Sequence, residues 1–169
     1  MRASKLTLRE VVLFGVLGAL TFALKMCMAA LPNIEPVSLF VLVFGVVFGW
    51  KALYPTYVYV AMELLTWGPG TWNINYLYIW AVLAVAAILL RKMEHPLSWA
   101  MLSGAFGLAF GLLCAPVDVV IGGFSFAVSK WISGIPFDVA HCAGNFVIAL
   151  ILFKPLSLLL ERLYARMTR

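Results

Sequence analysis

Asp138, His141 and Asn145 recur at i, i+3 and i+7 in the segment Gly134-Ile-Pro-Phe-Asp-Val-Ala-His-Cys-Ala-Gly-Asn-Phe146. That spacing puts all three on one helical face within two turns. An acid, an imidazole and a carboxamide on one stripe offer both donors and acceptors to a polar solute. The same stripe would also serve as a polar ladder tying its helix to a neighbour. Pro136 suits a helix start, and Asp138 then falls in the first turn, where the helix dipole favours an anion. Asp138 with His141 has the form of an acid–base pair, but no nucleophile motif accompanies it.

Other polar residues collect in apolar surroundings. Ser129-Lys130-Trp131 precedes the ladder, so Lys130 is placed to meet an anionic group or to pair with Asp118 or Asp138. Lys130 with Trp131 is equally the make-up of a headgroup anchor. Trp72, Tyr76 and Trp80 repeat every four residues and make an aromatic stripe. Such a stripe is either a belt or packing surface, or a stacking wall for a flat heterocycle. In the second case Asn73 and Asn75 would supply hydrogen bonds. Glu35 sits in a tight loop between Pro32 and Pro36, in reach of the same region. Glu63, flanked by Met62 and Leu64, is expected to pair with Lys25.

These residues need a membrane around them. The chain has 169 residues, 64% apolar and 11% charged, with a mean hydropathy of +1.04. Soluble domains carry about 25% charged residues, so too little polar sequence exists to coat a water-facing surface. A soluble enzyme, a disordered tail and a nucleic-acid-binding domain are disfavoured. The net charge of +5 is spread over helix ends and short loops rather than gathered in one patch, so no nucleic-acid partner is expected. Cys27, Cys114 and Cys142 have neither disulfide nor zinc spacing and read as small core residues. The basic start MRASKLTLRE leads into an apolar run too long for a signal peptide's core, so the run is kept as a helix.

The apolar runs predict an all-α integral membrane protein, a single compact domain of six transmembrane helices. They fall at about 11–31, 37–50, 52–67, 74–90, 97–115 and 136–153. Residues 116–134 are expected as an outer cap region, and 154–169 as an amphipathic surface tail. Six crossings put both ends on one side, and ten of the twelve basic residues fall there: Arg2, Lys5, Arg9, Lys51, Arg91, Lys92, Lys154, Arg162, Arg166 and Arg169. The positive-inside rule makes that side the cytoplasm. Lys25, Lys130, Glu35, Glu63, Asp118, Asp138, His141 and the asparagines fall toward the outer half. Charges within a span are costly and mark functional sites by default, so the outer end is expected to hold a polar solute. Gly15, Ala19 and Ala23, Gly45 and Gly49, and Gly104, Gly107 and Gly111 form small-residue seams suited to close helix packing, inside the bundle or against another subunit.

With a six-span length of about 170 residues, a small-residue first helix and the stretch from Gly134 through Asp138, His141, Gly144-Asn145-Phe146 to Phe153-Lys154-Pro155, the chain resembles the substrate-binding S components of energy-coupling factor (ECF) vitamin transporters. The resemblance implies a high-affinity capture subunit in a prokaryotic cytoplasmic membrane. Its ligand would be a small water-soluble vitamin or related heterocyclic micronutrient, such as a thiamine precursor, a queuosine precursor or riboflavin. The first outer loop and helices 4 to 6 would line the pocket, bringing in Glu35, Trp72, Asn73, Asn75, Tyr76, Asp118, Lys130, Trp131, Asp138, His141 and Asn145. Gly15, Ala19 and Ala23 would dock on a membrane coupling subunit. Two further subunits would bind ATP, and this chain would hold no cofactor or metal and would not be an enzyme. It has no GxxxxGK[ST] phosphate loop, HExxH or GxSxG. A self-sufficient secondary transporter or channel, and an intramembrane enzyme, are the alternative readings.

Overall fold

The structure is a computed structural model and describes residues 6–30 and 34–168. Leu31, Pro32 and Asn33, at the expected end of the first helix and in the loop after it, lie outside the described residues, as do Arg2, Lys5 and Arg169. All regular structure among the described residues is helical: α1 (Leu8–Cys27), α2 (Val37–Phe48), a 3-10 turn (Gly49–Ala52), α3 (Leu53–Trp67), α4 (Thr71–Leu89), α5 (Pro96–Leu108) and α6 (Phe110–Met167). Four continuous stretches, Leu8–Cys27, Val37–Trp67, Thr71–Leu89 and Pro96–Met167, are long and apolar enough to cross a membrane.

Local chemistry sets the boundaries. Thr7 and Glu10 form a capping box that starts α1 at Leu8, ahead of the apolar run, because each satisfies a backbone N–H the helix start leaves unpaired. α1 ends at Cys27 rather than at residue 31. Gly49, at φ +58°, supplies a backbone conformation that side chains disfavour, so α2 stops at Phe48 instead of continuing to residue 50. α2 has nine of its twelve residues buried and is apolar all round, which makes it the central helix.

The larger differences from expectation lie at 97–169. The segment 116–134 is not a cap: it is helical on both sides of Gly123, where φ +82° and ψ 175° break the helix. The chain reverses there. Gly104 faces Cys142, Gly107 faces the His141 backbone and Gly111 faces Asp138, so 96–122 and 124–167 form two antiparallel legs. Lys130 and Asp118, one of the pairings expected for Lys130, neutralise each other within the hairpin, with Nζ 2.5 Å from Oδ1. Pro116, Pro136 and Pro155 all lie inside α6, a placement tolerated where packed neighbours satisfy the freed backbone groups. Pro136 therefore does not begin a helix.

The tail is likewise continuous with the helix before it. Leu156 and Leu160 pack on the main core, and Tyr164 meets Phe48 edge-on at 4.9 Å. Glu10, 3% exposed, accepts hydrogen bonds from Lys51 Nζ at 2.6 Å and Tyr164 Oη at 2.5 Å. That network fastens α1, the α2–α3 turn and the end of α6 together. Gly18 of α1 abuts Pro55 and Val58 of α3, and Gly45 of α2 abuts Ala84 and Ala87 of α4. Gly45 and the α5–α6 glycine seam are thus internal packing, whereas Gly49, past the end of α2, meets nothing within 4 Å of a built Cβ and serves the turn instead. Around Gly15 no atom lies within 4 Å of a built Cβ, and Ala23 is exposed with Ala19 half-buried, so the Gly15–Ala19–Ala23 stripe is turned largely away from the bundle.

Candidate functional site

At the end of the bundle opposite Glu10, a cleft of about 390 Å³ opens between the start of α4 and the two legs of the 96–167 hairpin. Ligand pockets run from about 300 to 1,000 Å³, so the cleft has room for one small molecule. α4 contributes Trp72 and Asn75, the first leg Cys114 and Asp118, and the second leg Lys130, Trp131 and Phe137. Three aromatic side chains thus border one space that also carries an ion pair.

The Asp118 carboxylate is 5% exposed, while the Lys130 side chain is half-exposed. A buried carboxylate needs a partner, and the flexible lysine stem reaches in from the mouth to provide one. Lys130 Nζ also lies 5.8 Å from the Phe126 ring centroid. Because a lysine ammonium is a mobile point charge with three donors, it is able to turn from Asp118 toward an anionic ligand group. A cationic ligand group would replace it on Asp118. The single Tyr78 hydroxyl proton is shared between the Leu113 carbonyl and Asn75 Oδ1, the latter 3.2 Å from Oη. That leaves the Asn75 amide donors for a ligand.

No family model, curated protein or solved structure matches the chain.

The cleft gathers five of the expected site residues: Trp72, Asn75, Asp118, Lys130 and Trp131. The other six are committed elsewhere. Asn73 Oδ1 accepts from the Gly70 N–H at 2.6 Å and so closes the start of α4. The aromatic stripe exists, with Trp72–Tyr76 and Tyr76–Trp80 edge-on at 5.2 and 5.4 Å. Only its first member reaches the cleft; Tyr76 and Trp80 turn inward onto Tyr59.

Tyr76 and Glu35 belong to a second polar cluster, centred on Lys25. Lys25 Nζ lies 3.1 Å from Glu63, 3.6 Å from Glu35, and 3.3 and 3.4 Å from the Tyr59 and Tyr76 hydroxyls. Both phenol rings also flank the ammonium at 5.8 and 5.4 Å. One cation thus ties α1, the following loop, α3 and α4. Burial pushes the Glu35 carboxyl up from its usual range, against the opposing pull of Lys25. The Lys25–Glu63 pairing was readable from sequence. Tyr59 was missed, although it stands one helical turn before Glu63 and so shares its face.

The Asp138–His141–Asn145 stripe is a ladder inside the protein rather than part of the cleft lining. Asp138 accepts from the Gly111 N–H at 3.1 and 3.3 Å. Gly111 is the second residue of α6, whose N-cap is Ala109. Alanine has no capping oxygen, so a carboxylate from the opposite leg satisfies the orphan donor. His141 meets Phe110 edge-on at 5.0 Å. Asn145 Nδ2 donates to Ser38 Oγ at 3.0 Å and to the Ser103 carbonyl at 3.3 Å. Asn145→Ala is therefore expected to lower stability by about 1–3 kcal/mol, because buried partners lose their hydrogen bonds. Thermal unfolding in detergent measures this.

Cleft residues not anticipated include Cys114, Phe137, Ser133 and Thr71. Thr71 adjoins Trp72, and Ser133 and Phe137 adjoin the Lys130 and Asp138 regions, so proximity to named residues was the available signal. Among the described residues no group of three or more His, Cys, Asp or Glu is placed to hold a metal ion.

Proposed function

We propose that the chain is a substrate-capture subunit of the ECF S-component kind, binding a small heterocyclic micronutrient in the cleft between α4 and the hairpin. The observation that carries this reading is the cleft itself: three aromatic walls, an amide and an exchangeable carboxylate–ammonium pair in one concave space. Aromatic faces hold a flat ring, and fixed polar groups give it orientation.

In this reading the chain crosses a prokaryotic cytoplasmic membrane six times. The reversals at Gly49 and Gly123 divide two of the four long apolar stretches into two legs each. The ten basic residues that the sequence assigns to one side favour cytoplasmic termini, with the cleft facing outward. The outward-turned Gly15–Ala19–Ala23 stripe suits docking on a membrane coupling subunit, and two ATP-binding subunits energise release inward. The residues assigned to the ligand are Trp72, Asn75, Asp118, Lys130 and Trp131.

Calorimetric titration of the detergent-purified chain with thiamine, its pyrimidine precursor, a 7-deazapurine and riboflavin tests the assignment. One of them is expected to bind without ATP. Trp72→Ala and Asp118→Asn should each weaken it at least tenfold, about 1.4 kcal/mol. Flux through liposomes containing this chain alone would instead identify a self-sufficient carrier or channel.

A further inference from the structure

A second concavity lies at the opposite, basic end. It is a shallow, largely open groove of about 500 Å³ between the first half of α1 and the last turn of α6, formed by Leu8, Arg9, Val12, Leu13, Val16 and Met167. Five of these six residues are apolar, and the one charge sits at the end of the groove. From Leu8 to Val16 the helix rises about 12 Å. The hydrocarbon core of a bilayer is about 30 Å thick, so one leaflet spans about 15 Å. The groove thus has the length of a single leaflet and the charge pattern of an amphiphile's complement, with a cation at one end and apolar surface along the rest.

Arg9 is held in place for this role. Its Nη1 donates to the Met167 carbonyl at 3.2 Å, which fixes the side chain against α6. Among the described residues that is its only hydrogen bond, and a guanidinium has five N–H donors. The neighbouring acid does not neutralise it, since Glu10 is buried against Lys51 and Tyr164. Arg162 and Arg166, both exposed, lie within five residues of Met167 on α6. Glu161 is the exposed acid in the same stretch, so the local excess is positive.

We propose that this groove binds one anionic phospholipid, with its phosphate on Arg9 and one acyl chain along Leu8, Val12, Leu13 and Val16. Charge complementarity selects the anionic headgroup: arginine forks match phosphate oxygens, whereas a zwitterionic headgroup brings its own cation. The bound lipid would cover the open edge between the first and last helices and, because Val12 and Val16 share the face of Gly15 and Ala19, would be displaced where a coupling subunit docks on that stripe.

Native mass spectrometry of the full chain in detergent, titrated with phosphatidylglycerol or phosphatidylcholine of identical chains, tests the proposal. Phosphatidylglycerol should be retained at least tenfold more tightly, with the preference shrinking as salt rises. Arg9→Gln should abolish the preference and Arg9→Lys should keep part of it. Val12→Trp, which fills the groove without touching the charge, should remove the tight adduct even if Arg9→Gln fails to fold. Equal retention of the two lipids, an unchanged preference in Arg9→Gln, or a tight adduct surviving Val12→Trp would overturn it.

Discussion

Lys25→Met is expected to destabilise the protein by about 3 kcal/mol, near the lower end of the range for removing one partner of a buried ion pair. The substitution leaves Glu63, 2% exposed, with an uncompensated carboxylate. It also deprives Glu35 and the Tyr59 and Tyr76 hydroxyls of the group they converge on. The remaining fractional exposure of the Lys25 side chain, 21%, keeps the loss from being larger. Lys25→Met combined with Glu63→Gln should recover much of it, because the double change removes the stranded charge. A double-mutant cycle on thermal melts isolates that coupling. Additive losses would mean that the two residues do not act as a pair.

Gly107→Val is expected to be comparably severe, also about 3 kcal/mol, the upper part of the range for overpacking. A Cβ at this position would stand 2.8 Å from both the carbonyl carbon and the oxygen of His141. Those atoms are backbone and cannot rotate aside, so the two legs of the hairpin would have to separate. Separation would pull Asp138 from Gly111 and distort the cleft beside it. Gly15→Val is the matched control: nothing lies within 4 Å of its Cβ, so stability should stay within about 0.5 kcal/mol, as for a surface substitution. If both variants melt alike, the close approach at Gly107 is wrong.

These two sites also show what sequence reasoning captured. The Gly104–Gly107–Gly111 seam and the Lys25–Glu63 pair were legible because both follow from local rules: small residues every three or four positions allow close packing, and a lone charge in apolar sequence requires an opposite one. The hairpin was not legible. A Lys130–Asp118 pair was among the expected pairings, but the 116–134 segment was expected as a cap, and it is that pairing across Gly123 that makes a helix acceptable there. Pro136 misled for a related reason: proline favours a helix start because it has no N–H to donate, but inside a packed bundle neighbouring groups satisfy the carbonyl it frees, and the second leg continues through it.

The candidate site residues divided on the same principle. Helical spacing correctly put Asp138, His141 and Asn145 on one stripe, but spacing cannot say which neighbour that stripe meets. Its neighbours are the bare α6 start at Gly111, Phe110, and the polar groups of Ser38 and Ser103. Trp72 and Tyr76 share a stripe yet part company, because Tyr76 is drawn to Lys25 and Trp72, one turn nearer the helix end, stands beside the hairpin legs.

The space among Trp72, Asp118, Lys130 and Trp131 is proposed to hold a captured small molecule. Native mass spectrometry of the chain as purified from a membrane, without added ligand, tests it most directly. The expected result is one retained heterocycle at one-to-one stoichiometry, lost from Trp72→Ala but kept by Asn145→Ala once each variant is shown to be folded. A molecule that stays bound to Trp72→Ala and is lost only when the Asp138–Asn145 ladder is altered would rule out the cleft and move the site into the helix seam.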